Sequence, residues 1–219
     1  MNTIPMYYAL TRCEMIYFLP KNYSKVLEIG CGEGGFFQNL DNHCEIWGIE
    51  PDKKSIERAS SSYYKTFNDF FDNVEKEIPD SYFDLVICND VIEHMEDHNE
   101  FFYNIKQKMA PNAYLVGSIP NVRYVYNLFG LLILKDWRYS SCGILDYTHL
   151  RFFTEKSLRR TFTENSFKVN KFCGINSVFN RRKTKIIFIE NIITALIIII
   201  TFGFYHDIKF PQFGFQLQK

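Results

Sequence analysis

The chain has 219 residues, of which 47% are hydrophobic, so it can fold around a substantial core and is not intrinsically disordered. Twenty-five basic residues balance twenty-five acidic ones, and a chain without net positive charge lacks the field that holds a nucleic-acid backbone. Six cysteines occur without a C-x-x-C pair, and there is no histidine cluster at zinc spacing, which predicts reduced thiols and no metal site.

The first twenty residues, MNTIPMYYALTRCEMIYFLP, do not have the features of a signal peptide. They lack a basic start, an unbroken apolar core and a small-residue cleavage site. We therefore expect a cytoplasmic protein. No internal repeat or flexible linker is visible, so we also expect a single domain over residues 1–219.

Apolar, β-branched runs recur along the first half of the chain, separated by segments with helical spacing. Runs of nearly continuous hydrophobicity are typical of parallel strands that are covered on both faces. The predicted strands are Lys25–Gly30, Cys44–Glu50, Phe83–Asn89 and Ala113–Pro120. The predicted crossover helices are Glu33–Asn42, Pro51–Ser60 and Glu93–Met109. This alternation predicts the α/β class.

After Pro120 the pattern changes. Residues 121–150 are rich in Tyr, Trp and Leu without a clear period, and we interpret them as an insertion over the C-terminal ends of the strands, where open α/β sheets bind ligands. The aromatic side chains of this insertion either stack on a ring ligand or build its own core. A capped helix is predicted from Thr154 to Glu164, followed by two late strands at Phe167–Cys173 and Phe210–Leu217.

A glycine-rich loop follows the first predicted strand. The spacing Gly30-x-Gly32-x-x-Gly35 fits both a dinucleotide fingerprint and an S-adenosylmethionine loop. Glu28, inside the strand, can meet a cationic amino group but would lie too close to a pyrophosphate. Glu50, at the end of the second strand, can accept both ribose hydroxyls of either cofactor. Glu28 therefore favours S-adenosylmethionine over a nicotinamide cofactor.

Three segments together resemble a class I S-adenosylmethionine-dependent methyltransferase. They are E-I-G-C-G-E-G at 28–34, G-I-E-P-D at 48–52 and F-D-L-V-I-C-N-D-V-I-E-H at 83–94. The resemblance covers roughly residues 25–120. It implies a Rossmann-like, mostly parallel seven-stranded sheet with a final antiparallel strand and helices on both faces. It also implies S-adenosylmethionine as methyl donor, with S-adenosylhomocysteine as the product.

The resemblance also implies which residues bind the cofactor. Gly30, Gly32 and Gly34 surround the methionine moiety, and Glu50 binds the ribose. Asp69, with Asn68 as the alternative, lies near the adenine. Asn89 and Asp90, at the end of the fourth strand, lie beside the methyl group. The implied cofactor-binding residues are Glu28, Gly30, Gly32, Gly34, Glu50, Asp69, Asn89 and Asp90.

The sequence beyond Pro120 is similar to methyltransferases encoded with bacterial surface-polysaccharide pathways. The segments that carry this similarity are P-N-V-R-Y from 120 and D-W-R-Y-S-S-C-G-I-L-D-Y-T-H-L-R-F-F-T from 136. It implies O-methylation of a sugar or glycan intermediate of cell-surface polysaccharide biosynthesis. Asn89 and Asp90 are not followed by the two prolines and aromatic residue typical of methyltransferases that modify base amino groups. We therefore expect a small-molecule or glycan acceptor rather than nucleic acid.

A hydroxyl acceptor must lose its proton, and a positioned base typically contributes about 10² to 10⁴ in rate. We predict His149 as this catalytic base, because its ordinary pKa lies near neutrality, with Asp146 as the second candidate. Arg151 and Arg123 are predicted to hold a carboxylate or a sugar-nucleotide phosphate, and His94, at the start of a helix, to contact the substrate. The alternative is that His149, Arg151 and His94 only fix local structure by hydrogen bonds.

An apolar helix is predicted over Ile186–Phe204, directly after the basic run at 181–185. Nineteen helical residues reach about 28 Å against a bilayer core of about 30 Å, and Glu190 and Asn191 fall within the segment. The helix must also return to the domain if the last strand follows it. Three interpretations remain: a buried crossover helix, a homodimer contact, or a peripheral membrane contact through 186–204 on an anionic leaflet.

Other functions remain open at this point. The fold can bind S-adenosylmethionine in a regulatory or scaffolding protein, or methylate another small molecule, and an NAD-dependent enzyme is a further alternative. The intact loop, Glu50 and His149 favour the enzyme.

Overall fold

The computed structural model describes residues 11–180 and 185–219, with side chains described up to 180 and again from 191. A seven-stranded sheet runs through the molecule, in the spatial order β3-β2-β1-β4-β5-β7-β6. Its strands are β1 (Lys25–Ile29), β2 (Glu45–Ile49), β3 (Lys65–Phe67), β4 (Phe83–Asn89), β5 (Met109–Pro120), β6 (Lys168–Ile175) and β7 (Gln212–Gln218). Strands β1 to β5 pair in parallel, and β7 is antiparallel to both β5 and β6. The predicted Rossmann-like α/β fold is confirmed.

Helices flank this sheet. They are α1 (Lys53–Ala59), α2 (Phe71–Val74), α3 (His98–Lys108), α4 (Val125–Leu132), α5 (Glu155–Glu164) and α6 (Lys185–Ile200). The predictions of α1 and α5 are confirmed, and both helices begin at a side-chain cap. Asp52 accepts from the backbone N–H of Ser55, and Thr154 accepts from that of Ser157.

The predicted helix at Glu33–Asn42 is wrong. The segment contains turns and a short 3-10 helix at Phe37–Asn39. Gly34 has φ +79°, a left-handed conformation that an α-helix does not accommodate. Its position lies close to Tyr63 and Ala59, so the loop is held near the end of α1 instead of continuing as a helix.

The predicted helix at Glu93–Met109 begins later than expected. Its first turn is a separate 3-10 helix at Ile92–His94, so His94 does not open the α-helix as predicted. The backbone carbonyl of Glu93 accepts the N–H groups of Leu150 and Arg151 and is therefore not available to an α-helix. The helix α3 starts only after Asp97, whose side chain caps it.

Apolar side chains cover both faces of the sheet. On one face, Phe101 and Phe102 of α3 and Phe162 of α5 lie in one buried cluster with β4, β5 and β7. On the other face, the 3-10 helix at Cys13–Phe18 packs with α1 in a second cluster. A Cβ atom at Gly117 in β5 would lie 2.4 Å from the carbonyl oxygen of Cys88, so the centre of the sheet is closely packed.

The predicted apolar helix forms α6, which connects β6 to β7. Arg181 to Thr184 of the preceding basic run lie outside the described residues. Among the residues that the structure describes, none of the helices combines the length and the hydropathy that crossing a bilayer requires.

Candidate functional site

The glycine loop after β1 is bound to the end of β2. The backbone N–H groups of Gly30 and Cys31 donate to the carbonyl oxygen of Ile49 at 2.8 and 3.1 Å. Gly30, Gly32 and Gly34 have φ values of +70°, +55° and +79°. A Cβ atom at Gly30 would lie 2.7 Å from Cγ2 of Val91. The loop therefore needs glycine for its conformation and, at Gly30, for the close approach of Val91.

Glu50 lies buried at the end of β2 and joins the glycine loop to the start of α1. Its Oε2 accepts from the backbone N–H of Gly32, and its Oε1 accepts from that of Asp52, both at 2.9 Å. Burial raises the pKa of Glu50, while these two hydrogen bonds oppose the shift. Each carboxylate oxygen can accept more than one hydrogen bond, so Glu50 can still accept from ribose hydroxyls.

Glu28 is buried in β1, and its Oε2 accepts a hydrogen bond of 2.7 Å from the hydroxyl of Tyr63. Burial raises the pKa of Glu28 to about 8, and the charge of Glu50 adds to the shift. Tyr63 was not singled out from the sequence, because no motif marks it. The predicted contact of Glu28 with an amino group stays a prediction, with Tyr63 as a competing partner.

Asp69, predicted near the adenine, lies just before α2. Its Oδ1 accepts from the side-chain amide of Asn73 at 2.6 Å and from the N–H of Phe70 at 2.8 Å. These two hydrogen bonds lower the pKa of Asp69. The alternative, Asn68, donates to the carbonyl oxygens of Glu50 and Pro51 at 3.0 and 2.9 Å. The structure therefore ties Asn68, rather than Asp69, to the residue predicted to bind the ribose.

Asn89 and Asp90, predicted side by side at the methyl group, have different surroundings. Both polar atoms of the Asn89 side chain are buried, and neither has a hydrogen-bond partner among the described residues. Buried amides are nearly always paired, so this one fits a site that a ligand completes. Together with the glycine loop and Glu50, the Asn89 amide fits S-adenosylmethionine.

Asp90 has φ +56° and is hydrogen-bonded to β5, β7 and the segment before β1. Its carboxylate accepts from the Ser118 hydroxyl at 2.8 Å, from the Gln212 amide at 2.9 Å and from the guanidinium of Arg12. Arg12 also donates to Glu14 at 2.7 Å. These contacts do not test the predicted position of Asp90 beside the methyl group, which stays a prediction.

The Arg12–Asp90 pair lines a cleft of about 370 Å³. The other lining residues are Thr11, Cys13, Glu14, Asn176 and Gln212. Sequence reasoning missed Arg12, because it precedes β1 and belongs to no motif.

The loop before α5 brings His149 to the end of β4. His149 Nδ1 lies 2.9 Å from the carbonyl oxygen of Ile144, so we assign the proton to Nδ1 and the free lone pair to Nε2. Nε2 lies 3.9 Å from Oε1 of Glu93. The rings of His94 and His149 pack edge-on, with centroids 4.8 Å apart. Nδ1 of His94 lies 3.1 Å from the carbonyl oxygen of Thr148. The two histidines therefore share one site with Glu93.

Neither carboxylate oxygen of Glu93 has a hydrogen-bond partner among the described residues. Burial, followed by the charge of Asp90, raises the pKa of Glu93. Burial, followed by His149, lowers the pKa of His94. One donor atom from each of Glu93, His94 and His149 lies within 4.8 Å of the others, so the three side chains can share a divalent cation. Sequence spacing did not reveal this group, because His149 lies far from the other two in the chain.

Three other predicted site residues have internal partners. Asp146 accepts from the N–H and hydroxyl of Thr148 at 2.8 and 2.7 Å, and these bonds lower the pKa of Asp146 although burial opposes them. Arg151 donates to the carbonyl oxygen of Glu96. Arg123 donates to Asp207 at 2.6 Å. These contacts give all three side chains a role in local structure, and the predicted catalytic role of Asp146 and the anion-binding roles of both arginines stay predictions.

Comparison with known proteins identifies the family. Residues 11–171 match the family described as "Methyltransferase domain". The chain is 27% identical over 189 residues to a protein of Rickettsia typhi named "Ubiquinone biosynthesis O-methyltransferase", covering 82% of this chain and 73% of that protein. It is also 27% identical over 158 residues to the mitochondrial protein of that name from Schizosaccharomyces pombe, covering 69% of this chain and 57% of that protein.

Solved structures share the fold. A SAM dependent methyltransferase from Archaeoglobus fulgidus superimposes with a TM-score of 0.64 at 21% identity, covering 98% of this chain and 93% of that one. A possible histamine N-methyltransferase from Thermotoga maritima gives a TM-score of 0.62 at 16% identity, covering 98% and 92%. The family match, the glycine loop and the fold agree, and the chain belongs to the methyltransferase-domain family as a class I S-adenosylmethionine-dependent methyltransferase.

Proposed function

We propose that the protein O-methylates a hydroxyl group and that His149 removes the proton from that hydroxyl. The observation that carries this proposal is the free Nε2 of His149, which faces buried Glu93 in the 3-10 helix just after β4. The last residue of β4 is Asn89, whose amide has no hydrogen-bond partner among the described residues. The named relatives from R. typhi and S. pombe are O-methyltransferases, which supports an oxygen acceptor.

S-adenosylmethionine supplies a methyl group that is already activated on a sulfonium. The protein's own residues then have two tasks. The first is to align the acceptor oxygen and exclude water, which can account for roughly 7 to 11 kcal/mol of the barrier. The second is to remove the proton, which His149 performs. When Nε2 accepts a proton, the new positive charge lies 3.9 Å from Glu93 and favours the ionised form of that carboxyl.

We propose a sugar or glycan intermediate of bacterial cell-surface polysaccharide biosynthesis as the acceptor. Tyr139 and Tyr147 are exposed and stacked, with ring centroids 6.1 Å apart, on the same segment as His149. Trp137 and Phe152 pack beside them, with ring centroids 5.4 Å apart. Aromatic faces with polar groups suit ring-shaped ligands such as sugars.

A second candidate acceptor is a precursor in ubiquinone biosynthesis. The shared name of the relatives favours it, since the R. typhi protein aligns with 82% of this chain. The exposed tyrosines suit this acceptor equally well, because they present flat apolar faces to any ring.

The test begins with calorimetric titration of the purified protein with S-adenosylmethionine, S-adenosylhomocysteine and NAD. Methyl-labelled S-adenosylmethionine is then incubated with sugar nucleotides, lipid-linked glycans and ubiquinone precursors in separate reactions. Label transfer to a glycan acceptor supports the first candidate, and transfer only to a ubiquinone precursor replaces it with the second. Cofactor binding without transfer to any acceptor contradicts both and favours a regulatory protein.

A further inference from the structure

The outer surface of α4 and α6 is apolar where a surface in water is normally polar. We propose that α4, the C-terminal half of α6 and the turn after it form a membrane-docking surface, which places the protein on an anionic lipid leaflet. The proposal concerns where the protein sits and does not depend on the identity of the acceptor.

The helix α6 places apolar side chains outside and a polar one inside. Thr194 is fully buried, and its hydroxyl has no hydrogen-bond partner among the described residues. The apolar stripe of α6 is exposed by 40% to 73% and follows the spacing of one helix face. It consists of Ile192, Ile193, Leu196, Ile199 and Ile200. This arrangement is the reverse of a helix that faces water and is typical of one that faces lipid.

The turn after α6 extends this stripe. Phe202 and Phe204 are 93% and 85% exposed, the highest values among the described large apolar side chains. Phe202 and Gly203 have φ values of +50° and +83°, and the N–H of Gly203 donates to the carbonyl oxygen of Ile198 at 2.8 Å. The backbone of the turn is thus fixed while both rings project outward. Phenylalanines at the end of an apolar helix are suited to insertion between lipid headgroups.

The helix α4 shares a buried cluster with α6 and carries a second group of exposed apolar side chains. Leu128 of α4 and Ile197 of α6 pack on one small buried cluster that contains Val125 and Ile208. The outer side chains of α4 and the residues after it are 44% to 68% exposed. They are Phe129, Leu131, Leu132, Ile133 and Leu134. Single exposed apolar residues are normal, but neighbouring groups of this extent mark an interaction surface.

The charge of these segments favours an anionic partner. Among the described residues, 123–139 and 191–209 contain four basic and two acidic side chains, of which Arg123 and Asp207 pair with each other. The sequence directly before α6 is the basic run at 181–185. An excess of basic charge disfavours a second copy of the same surface, whereas an anionic leaflet attracts basic residues beside it. An anionic membrane is therefore favoured over a second copy of the chain.

The length of α6 determines how the protein sits on the membrane. Sixteen helical residues are about 24 Å long, which is less than the bilayer core of about 30 Å. The helix also returns to the sheet through β7. The surface therefore lies in the headgroup region and does not span the bilayer. Ile144 packs against the cluster below α4, and its carbonyl oxygen binds His149, so the docked protein holds the candidate base close to the leaflet.

Vesicle co-sedimentation of the full chain tests the proposal. We expect binding to phosphatidylcholine vesicles that contain phosphatidylglycerol, weaker binding to pure phosphatidylcholine, and weaker binding in high salt. The double variant Phe202→Ser/Phe204→Ser should lower the partition coefficient about tenfold or more, since both rings insert. Tyr103→Ser, which removes an aromatic ring exposed by 65% on α3, is the matched control and should bind like the wild type.

Two further measurements separate the alternatives. S-adenosylmethionine titration of both variants checks that they are folded, and light scattering gives their oligomeric state. Equal vesicle binding of the wild type and the double variant would overturn the proposal, as would no binding to the anionic vesicles. A wild-type dimer that ignores vesicles and dissociates in the double variant would assign the surface to a second copy instead.

Discussion

Nε2 of His149 lies 3.9 Å from Oε1 of Glu93, whose side chain is only 1% exposed. This relationship predicts that His149→Gln slows turnover by about 10² to 10⁴, because glutamine cannot act as a base. The affinity for S-adenosylmethionine should stay unchanged in calorimetry, since the contacts of the imidazole are with Ile144, Glu93 and His94. Asp146→Asn is the control: its amide oxygen still accepts from Thr148, so we expect turnover close to wild type. A wild-type rate for His149→Gln would remove its role as base.

The pKa of Glu28 predicts a pH dependence of stability. The folded chain holds this pKa at about 8, against an ordinary value of 4.5. Below pH 4.5 the Glu28 carboxyl is protonated in both the folded and the unfolded chain. Above pH 4.5 it loses its proton in the unfolded chain while the folded chain still retains it. The free energy of unfolding should therefore fall as the pH rises from 4.5 to about 8, by on the order of 1.4 kcal/mol per unit.

Glu28→Gln should abolish this part of the pH dependence, because glutamine still accepts from Tyr63 but does not titrate. Urea unfolding of the wild type and the variant across this range measures the effect. The wild type should lose stability relative to the variant toward the alkaline end, by a few kcal/mol in total. Parallel curves would show that Glu28 is ionised in the folded protein.

Glu50 connects the glycine loop to α1, so Glu50→Ala should weaken S-adenosylmethionine binding. The variant loses the predicted ribose contact and leaves the N–H groups of Gly32 and Asp52 without their acceptor. Hydrogen bonds to charged groups contribute about 1.5 to 3 kcal/mol, so we expect a loss of roughly 10- to 100-fold in calorimetry. Asp69→Asn, which alters only the hydrogen bonds of Asp69 to Phe70 and Asn73, should have a smaller effect. An unchanged affinity for Glu50→Ala would refute the ribose assignment.

The buried pair of Arg12 and Asp90 predicts a coupled effect on stability. Arg12→Met leaves the Asp90 carboxylate buried with only Ser118 and Gln212 as partners, and should cost about 3 to 5 kcal/mol in denaturant unfolding. The double variant Arg12→Met/Asp90→Asn removes the unpaired charge and should regain part of this loss. If the losses in free energy of unfolding for Arg12→Met and Asp90→Asn, each measured alone, add up to the loss for the double variant, the two side chains do not interact.

The strands β1, β2, β4 and β5 were predictable because their apolar runs are largely buried in one sheet, as the alternation with helices indicates. The short strand β3 was not among the predicted strands, since Lys65–Phe67 carries little apolar pattern of its own. The helix prediction failed at Glu33–Asn42, where the left-handed conformation of Gly34 outweighs the helical spacing.

The candidate site was predictable only in part. The glycine loop, Glu50 and Asn89 lie in contiguous motifs that the sequence displays. The group of Glu93, His94 and His149 forms through backbone hydrogen bonds from the 150–151 segment to Glu93, and a loop without periodicity gives no sign of such a contact. The pairing of Arg12 with Asp90 likewise joins the segment before β1 to the end of β4, which no local pattern encodes.

The position of β7 has a consequence for the order in which the molecule can form. This strand follows α6 in the chain but lies between β5 and β6 in the sheet. During synthesis β6 therefore leaves the ribosome with no neighbour to pair with, and it must wait until α6 and β7 have followed. Pairings between distant segments form slowly. We therefore expect the β5-β7-β6 half of the sheet to close last, after the half that holds the glycine loop has already folded.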